Sequence, residues 1–293
     1  MKDKNEKPIK ELLNFSIAII DKPAGPTSFT VSDYIWKQLK DFGINKTSHF
    51  GTLDPQVTGV LPVAIGRACR LTGFFLGHDK IYVGVLHAHK EQEIKELQKI
   101  INENFMGKIK QTPPIKSSVK RVEREREVKR FEILERGENK KDFLFIAEVE
   151  GGTYIRKLCS DLGDIIGGAH MLELRRMNAG IFSEDDKRRV SLYEFKDAVD
   201  ELKKGNEEKI REILVPAEEA IKKIMPVVQI RKDENVFRAL FSGKPLFNKD
   251  IIGKVPKIGW GENFAVFAGD RFIEIAKRLD DDVIAGKALF VLA

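Results

Sequence analysis

Residues 49–62, HFGTLDPQVTGVLP, constrain the chain more than any other stretch. Gly51 permits a tight or left-handed backbone, and Pro55 fixes its own φ while steering Asp54 away from helix. Thr58 and Gly59 add a second turn signal, after which the apolar run VLPVAI resumes. One carboxylate, Asp54, is therefore offered from a stiff loop bracketed by glycine and proline. That is how a nucleophile or general base is presented to a substrate. An Asx-turn, in which Asp54 bonds only its own backbone, explains the same pattern.

A chain of 293 residues suits one large or two ordinary domains. Hydrophobic residues at 42% and charged ones at 33% are enough for a packed soluble core and speak against wholesale disorder. The longest N-terminal apolar run, FSIAII (15–20), is far too short to span a bilayer, and MKDKNEKPIK lacks a signal-peptide core. A cytoplasmic location is the expectation. Cys69 and Cys159 form no CxxC pair, which argues against a disulfide framework or structural zinc, and both read as buried core thiols. The net charge of +6 favours an anionic partner such as nucleic acid, although many soluble proteins carry as much.

Residues 1–12 read as a flexible tail, 13–225 as a mixed α/β body and 226–293 as a small β-barrel. NFSIAIIDKP predicts a strand ending at Lys22-Pro23, and residues 29–42 a helix capped by Thr30 or Ser32. IYVGVLHA and DFLFIAEVE predict strands, and Ile94, Leu97, Ile100 and Ile101 share one helical face. Gly151-Gly152-Thr153 leads into a helix with Arg156 in its first turn. Further helices are expected over 192–204 and about 207–224. The run KRVEREREVKR reads as a strand with one charged, solvated face.

No GxGxxG or GxxxxGK[ST] occurs, so nucleotide-cofactor chemistry lacks its usual fingerprints. His87 and His89 alternate along one predicted strand, but no third metal ligand stands nearby in the sequence. The residues support chemistry without cofactor or metal, or no chemistry.

Six stretches, in order, resemble the tRNA pseudouridine synthase B superfamily. They are IIDKPAGPTS (19–28), HFGTLDPQVTGVLPVAIGRACRL (49–71), DKIYV (79–83), PPIKSSVKR (113–121), EGGTYIRKL (150–158) and GAHMLELRR (168–176). The likeness is stronger to the archaeal, dyskerin-like branch, and GENFAVFAGDRFIEIAK resembles part of a PUA domain. The resemblance implies an α+β fold: a mixed-sheet catalytic domain with a central cleft, followed by a β-barrel PUA domain.

It also implies roles. Asp54 would be the nucleophile attacking a flipped uridine, with neither cofactor nor metal. Tyr82 would stack on the base, and Arg156 would hold the Asp54 carboxylate. Tyr154 and Leu174 would line the pocket, Lys22 and Pro23 would support its floor, and His49 would contact RNA beside the flipped base. The chain departs from the family pattern at Ser48, Phe50, Gln56 and Ile81. Of these, Phe50 would either add a stacking face for RNA or reshape its loop.

Three functions remain open at this point. PPIKSSVKR and the PUA-like tail imply the guide-dependent enzyme of an H/ACA ribonucleoprotein, with guide RNA, rRNA or tRNA substrate and accessory proteins as partners. A stand-alone synthase acting on the tRNA T-loop is the second. A non-catalytic RNA-binding scaffold is the third, disfavoured because it needs none of Asp54, Tyr82 and Arg156.

Overall fold

Strand β1 (Phe15–Lys22) is buried along almost its whole length, as its near-continuous apolar run requires of a strand covered on both faces. In the computed structural model, which describes residues 7–112 and 122–292, the chain divides into two units, Met1–Leu214 and Val215–Ala293. The motif PPIKSSVKR at 113–121 lies outside the described residues.

The first unit is built on a mixed sheet. Its further strands are β2 (Thr47–His49), β3 (Thr58–Gly66), β4 (Lys80–Ala88), β5 (Gly107–Gln111), β6 (Arg124–Arg136), β7 (Asp142–Val149), β8 (Ala169–Ala179), β9 (Phe182–Ser183) and β10 (Arg189–Val190). The main path runs β10-β1-β3-β8-β4-β7-β6-β5, with β2 beside β3 and β9 beside β8. Strand β4 alternates buried and half-buried residues, whereas β3 is buried from Gly59 onward. As the alternating charges predict, β6 exposes one charged face, while Val128, Phe131 and Ile133 are buried.

The helices are α1 (Ile9–Asn14), α2 (Ser28–Leu39), α3 (Thr72–Phe75), α4 (Ile94–Asn104), α5 (Ile155–Ile166), α6 (Leu192–Lys203) and α7 (Glu208–Ile213). Two boundaries differ from the sequence expectation. Order begins before residue 12, because α1 buries Leu12 and Leu13 in the core. Helix α2 is capped by Thr27, whose side chain accepts from Thr30 N, and not by Thr30 or Ser32.

The register explains where the candidate site residues fall. Lys22 of β1 pairs with Gly59 of β3, Gly59 with Arg176 of β8, and Arg176 with Tyr82 of β4. These residues therefore form one continuous row across four strands. Gly59 is obligatory in that row: its φ is +101°, and a Cβ there would lie 2.2 Å from the Arg176 carbonyl oxygen.

The second unit begins at Val215, so the last of the expected helices, α8 (Ala217–Ile224), groups with the C-terminal strands. Pro216 precedes α8 and follows α7, which splits the single helix expected over 207–224. Lys222 of α8 lies over the Phe267 ring, 4.8 Å from its centroid. Six strands follow the short β11 (Leu214–Pro216): β12 (Val227–Ile230), β13 (Leu246–Phe247), β14 (Ile251–Ile252), β15 (Asn263–Ala268), β16 (Arg271–Arg278) and β17 (Ile284–Val291). Their order, β13-β17-β16-β15-β12-β14, suits the small barrel-like sheet expected. Within this β-rich stretch a helix, α9 (Glu234–Phe241), forms behind the Asp233 cap and buries Phe237 and Leu240.

Glu274 of β16 is fully buried, and neither carboxylate oxygen meets a hydrogen-bond partner among the described residues. Burial raises its pKa from an ordinary 4.5 to about 8. Between those values the folded state holds a proton that the unfolded chain has lost, so stability falls as pH rises through this window. We expect Glu274→Gln to flatten that slope, its melting temperature gaining on the parent between pH 5 and pH 8.5. A parallel pair of curves would refute the assignment.

Candidate active site

Asp54 sits in a turn closed by Val57 N donating to the Asp54 carbonyl at 3.0 Å. The turn is real, yet the side chain is not spent on it. Asp54 Oδ2 lies 2.9 Å from Arg156 Nε, with the two side chains 44% and 42% exposed. Half of the carboxylate surface thus remains open to a ligand.

The loop is held from beneath by buried cations whose donors reach backbone oxygens on both sides of Asp54. Lys22 Nζ donates to the carbonyls of Pro23 (2.8 Å), Pro55 (2.9 Å) and Val57 (2.9 Å). Arg176 donates from Nε to Val60 O at 2.8 Å and from Nη2 to Gly51 O at 3.0 Å. Lys80 Nζ donates to Leu76 O and His78 O, and its side chain runs beside Gly51. Ser28 clamps the residue before Asp54, donating to Leu53 O at 2.9 Å and accepting from Leu53 N at 2.8 Å. Gly25 N closes the far side onto Pro55 O at 2.9 Å.

Burial lowers the pKa of all three cations. Lys80 falls to about 8, with the Arg176 charge adding to the effect, while for Lys22 the nearby Asp54 charge works in the opposite direction. The sum is a positive, rigid floor beneath a loop that offers one carboxylate.

Tyr82 is buried in the same core cluster as Leu174 and pairs with Arg176 across β4 and β8. Leu174 pairs with Gly84, where any Cβ would meet Leu174 Cδ1 at 2.8 Å. Tyr154 is half-buried at the N-terminus of α5. Its backbone exchanges two hydrogen bonds with the Gln111 amide, at 3.0 and 3.3 Å, which fixes the helix start that carries Arg156. Pro23 is exposed and enters the floor through its carbonyl. His49 Nε2 lies 3.0 Å from Thr52 Oγ1, and its pKa is lowered by burial and then by the Arg176 charge.

Several sequence expectations change. Phe50 offers no stacking face to RNA: it is buried, with its ring 4.7 Å from that of Phe75 and parallel to it, and Phe182 nearby. It packs inside instead, an aromatic anchor under residues 49–51. Cys159 is buried, its thiol pushed up to about 12, but Cys69 is only half-buried. Arg176, Lys80 and Ser28 were not singled out. A tandem Arg175-Arg176 on a strand was the available signal, since alternation must send one of the two inward. Arg175 points to the other face, where it pairs with Asp21 and Glu184.

The pairing of β4 with β8 also brings His170 opposite His87, and His89 Nε2 lies 3.2 Å from His170 Nδ1. His87 Nδ1 lies 2.5 Å from Asp142 Oδ1, a contact that lowers the Asp142 pKa. Among the described residues no group of three or more His, Cys, Asp or Glu is arranged to hold a metal. No described helix is long and apolar enough to cross a membrane.

The model of the TruB family pseudouridylate synthase N-terminal domain matches residues 39–155, and that of the tRNA pseudouridylate synthase B C-terminal domain matches 156–222. A probable tRNA pseudouridine synthase B of Methanopyrus kandleri is 39% identical over 264 residues, covering 89% of this chain and 75% of the relative. Its Methanocaldococcus jannaschii counterpart is 38% identical over 263 residues, with coverages of 89% and 75%. Among solved structures, a Cbf5-Nop10-Gar1 complex contains a chain 33% identical, with a TM-score of 0.86 and coverages of 99% of this chain and 92% of the other. An H/ACA ribonucleoprotein bound to a substrate RNA containing 2′-deoxyuridine gives a TM-score of 0.85 at 31% identity, with coverages of 100% and 93%. The chain therefore belongs to the TruB family of pseudouridine synthases and is similar to its archaeal, Cbf5-like members.

Proposed function

We propose that this chain isomerises uridines in RNA with Asp54 as nucleophile, as the catalytic subunit of a guide-RNA-dependent H/ACA ribonucleoprotein. The half-open Asp54 carboxylate, ion-paired to Arg156 above a cationic floor, carries the chemical part of this reading. The isomerisation is redox-neutral. The bond from ribose C1′ to uracil N1 breaks, a bond from C1′ to C5 forms, the C5 proton leaves and N1 gains one. A single carboxylate, a charge partner and walls that retain the detached base suffice. Tyr82 and Leu174 supply those walls, Tyr154 and His49 border them, and Lys22 with Pro23 holds the loop.

Likeness over nearly the whole chain to one protein solved in a Cbf5-Nop10-Gar1 complex and to another solved in an H/ACA ribonucleoprotein with substrate RNA supports the guide-dependent assembly, with accessory proteins as partners. A stand-alone activity on the tRNA T-loop is the second reading, favoured by the name carried by the archaeal relatives. Assaying the purified chain on a bare tRNA transcript, and again with an H/ACA guide and accessory proteins, separates the two. Guide-dependent turnover is expected. Rapid modification of bare tRNA by the chain alone would overturn it.

Arg156→Ala supplies a further check. The pair is half-exposed, so stability should change by no more than about 1 kcal/mol. Turnover should fall about 10²-fold or more, because the guanidinium orients the attacking carboxylate. Near-parental turnover would return Arg156 to the role of a surface residue.

A further inference from the structure

Helix α5 starts without a cap of its own. Tyr154 holds the N-cap position and makes no side-chain hydrogen bond to the first turn, where Ser, Thr, Asp or Asn would fold back. Arg156 follows two residues on, at the end of the helix dipole where a cation is disfavoured. Neither residue serves the helix. What fixes its start is Gln111, the last residue of β5 and only 2% exposed. Gln111 Oε1 accepts from Tyr154 N at 3.0 Å, and Nε2 donates to Tyr154 O at 3.3 Å. An amide 43 residues away thus holds both backbone groups of the N-cap, as a neighbouring strand would. The same Tyr154 carbonyl accepts from Leu158 N at 3.0 Å, so the amide grips the first helical turn itself.

The bend that leads into α5 is tied to β6, the strand paired with β5. Glu150 N donates to Glu127 O at 2.9 Å, and Glu127 N donates back to the Glu150 carboxylate at 3.1 Å. One strand therefore holds the beginning of residues 150–154 and the other holds the end. Arg156 Nε then stands 2.9 Å from Asp54 Oδ2. We propose that Gln111 is a positioning residue for the isomerisation, aiming the Arg156 guanidinium at Asp54 by fixing the Tyr154 backbone. Its burial keeps the amide itself away from RNA. This rests on the reading of Asp54 as nucleophile and Arg156 as its charge partner.

The test is a double-mutant cycle on single-turnover pseudouridine formation, using the RNA that the parent modifies, guided target or tRNA. Gln111→Met fills similar space and removes both hydrogen bonds. It should slow the reaction about 10- to 100-fold, the scale of misplacing a reacting group by up to about 1 Å. RNA affinity should stay within about threefold. In the Arg156→Ala background the same substitution should change the rate by less than about threefold, because no guanidinium is left to aim. Gln111→Glu keeps an acceptor for the Tyr154 N–H and should lose less than Gln111→Met. Where Gln111→Met melts below the assay temperature, Gln111→Glu carries the same cycle. An equal loss in both backgrounds would overturn the proposal, since Gln111 would then act through the Tyr154 wall or the fold at large. So would a parental rate for Gln111→Met, or a defect confined to RNA binding. A parental rate for Arg156→Ala would bring down the reading of the ion pair, and the proposal with it.

Discussion

Asp54→Asn should abolish pseudouridine formation while leaving the fold and RNA affinity in place. The amide keeps the size and shape of the carboxylate, and its oxygen can still accept from Arg156, so the loop has no reason to move. The side chain is half-exposed and its ion pair is worth no more than about 1 kcal/mol to stability. What is lost is the negative charge that makes the oxygen a nucleophile. Removing a nucleophile from a concerted set costs on the order of 10⁴-fold or more in turnover. RNA affinity, which depends on surface contacts elsewhere, should stay within about threefold, or about 0.6 kcal/mol. Turnover by Asp54→Asn within tenfold of the parent would remove Asp54 from the nucleophile role.

Lys22→Met should be damaging in a different way. The ammonium is fully buried and gives its three N–H groups to Pro23, Pro55 and Val57 carbonyls. Methionine fills similar space but donates to none of them, leaving buried acceptors that each cost about 1–3 kcal/mol. Release of the buried charge offsets part of this, so a net loss of about 2–4 kcal/mol is expected in denaturant unfolding. Two of the freed carbonyls, those of Pro55 and Val57, belong to the loop just past Asp54, and a displacement of about 1 Å at a reacting group can cost roughly 10²-fold in rate. Both stability and turnover should therefore fall, whereas Asp54→Asn lowers turnover alone. Parental turnover by Lys22→Met would mean that the floor is not what positions the carboxylate.

The parts of the site that could be read from sequence were those written locally. Gly51, Pro55 and Gly59 announce the loop because backbone freedom and restriction belong to single residues. Arg156 could be placed at a helix start because a glycine turn precedes it. The partners from distant strands could not. Arg176 carries no local mark of its place until the β3–β8 and β4–β8 registers bring it beneath Gly51 and beside Tyr82. Phe50 reads equally as a stacking face for RNA or as a shaper of its loop until Phe75 and Phe182 close over it. Thr27 caps α2 in place of the expected Thr30 or Ser32, because Ser28 already belongs to the helix while its hydroxyl holds Leu53 of the Asp54 loop. In the second unit, α9 is eight residues long amid strand-like runs, too short for its periodicity to stand out.

Release of the C5 hydrogen reports directly on the central claim. Formation of the C1′–C5 bond must expel it, and simple RNA binding or a scaffold role cannot. The parent chain, assembled with an H/ACA guide and accessory proteins on target RNA tritiated at uridine C5, should release one tritium per target uridine. Asp54→Asn should bind the same RNA and release none. No release by the parent from either the guided target or tRNA, or release by Asp54→Asn at the parental rate, would contradict the account.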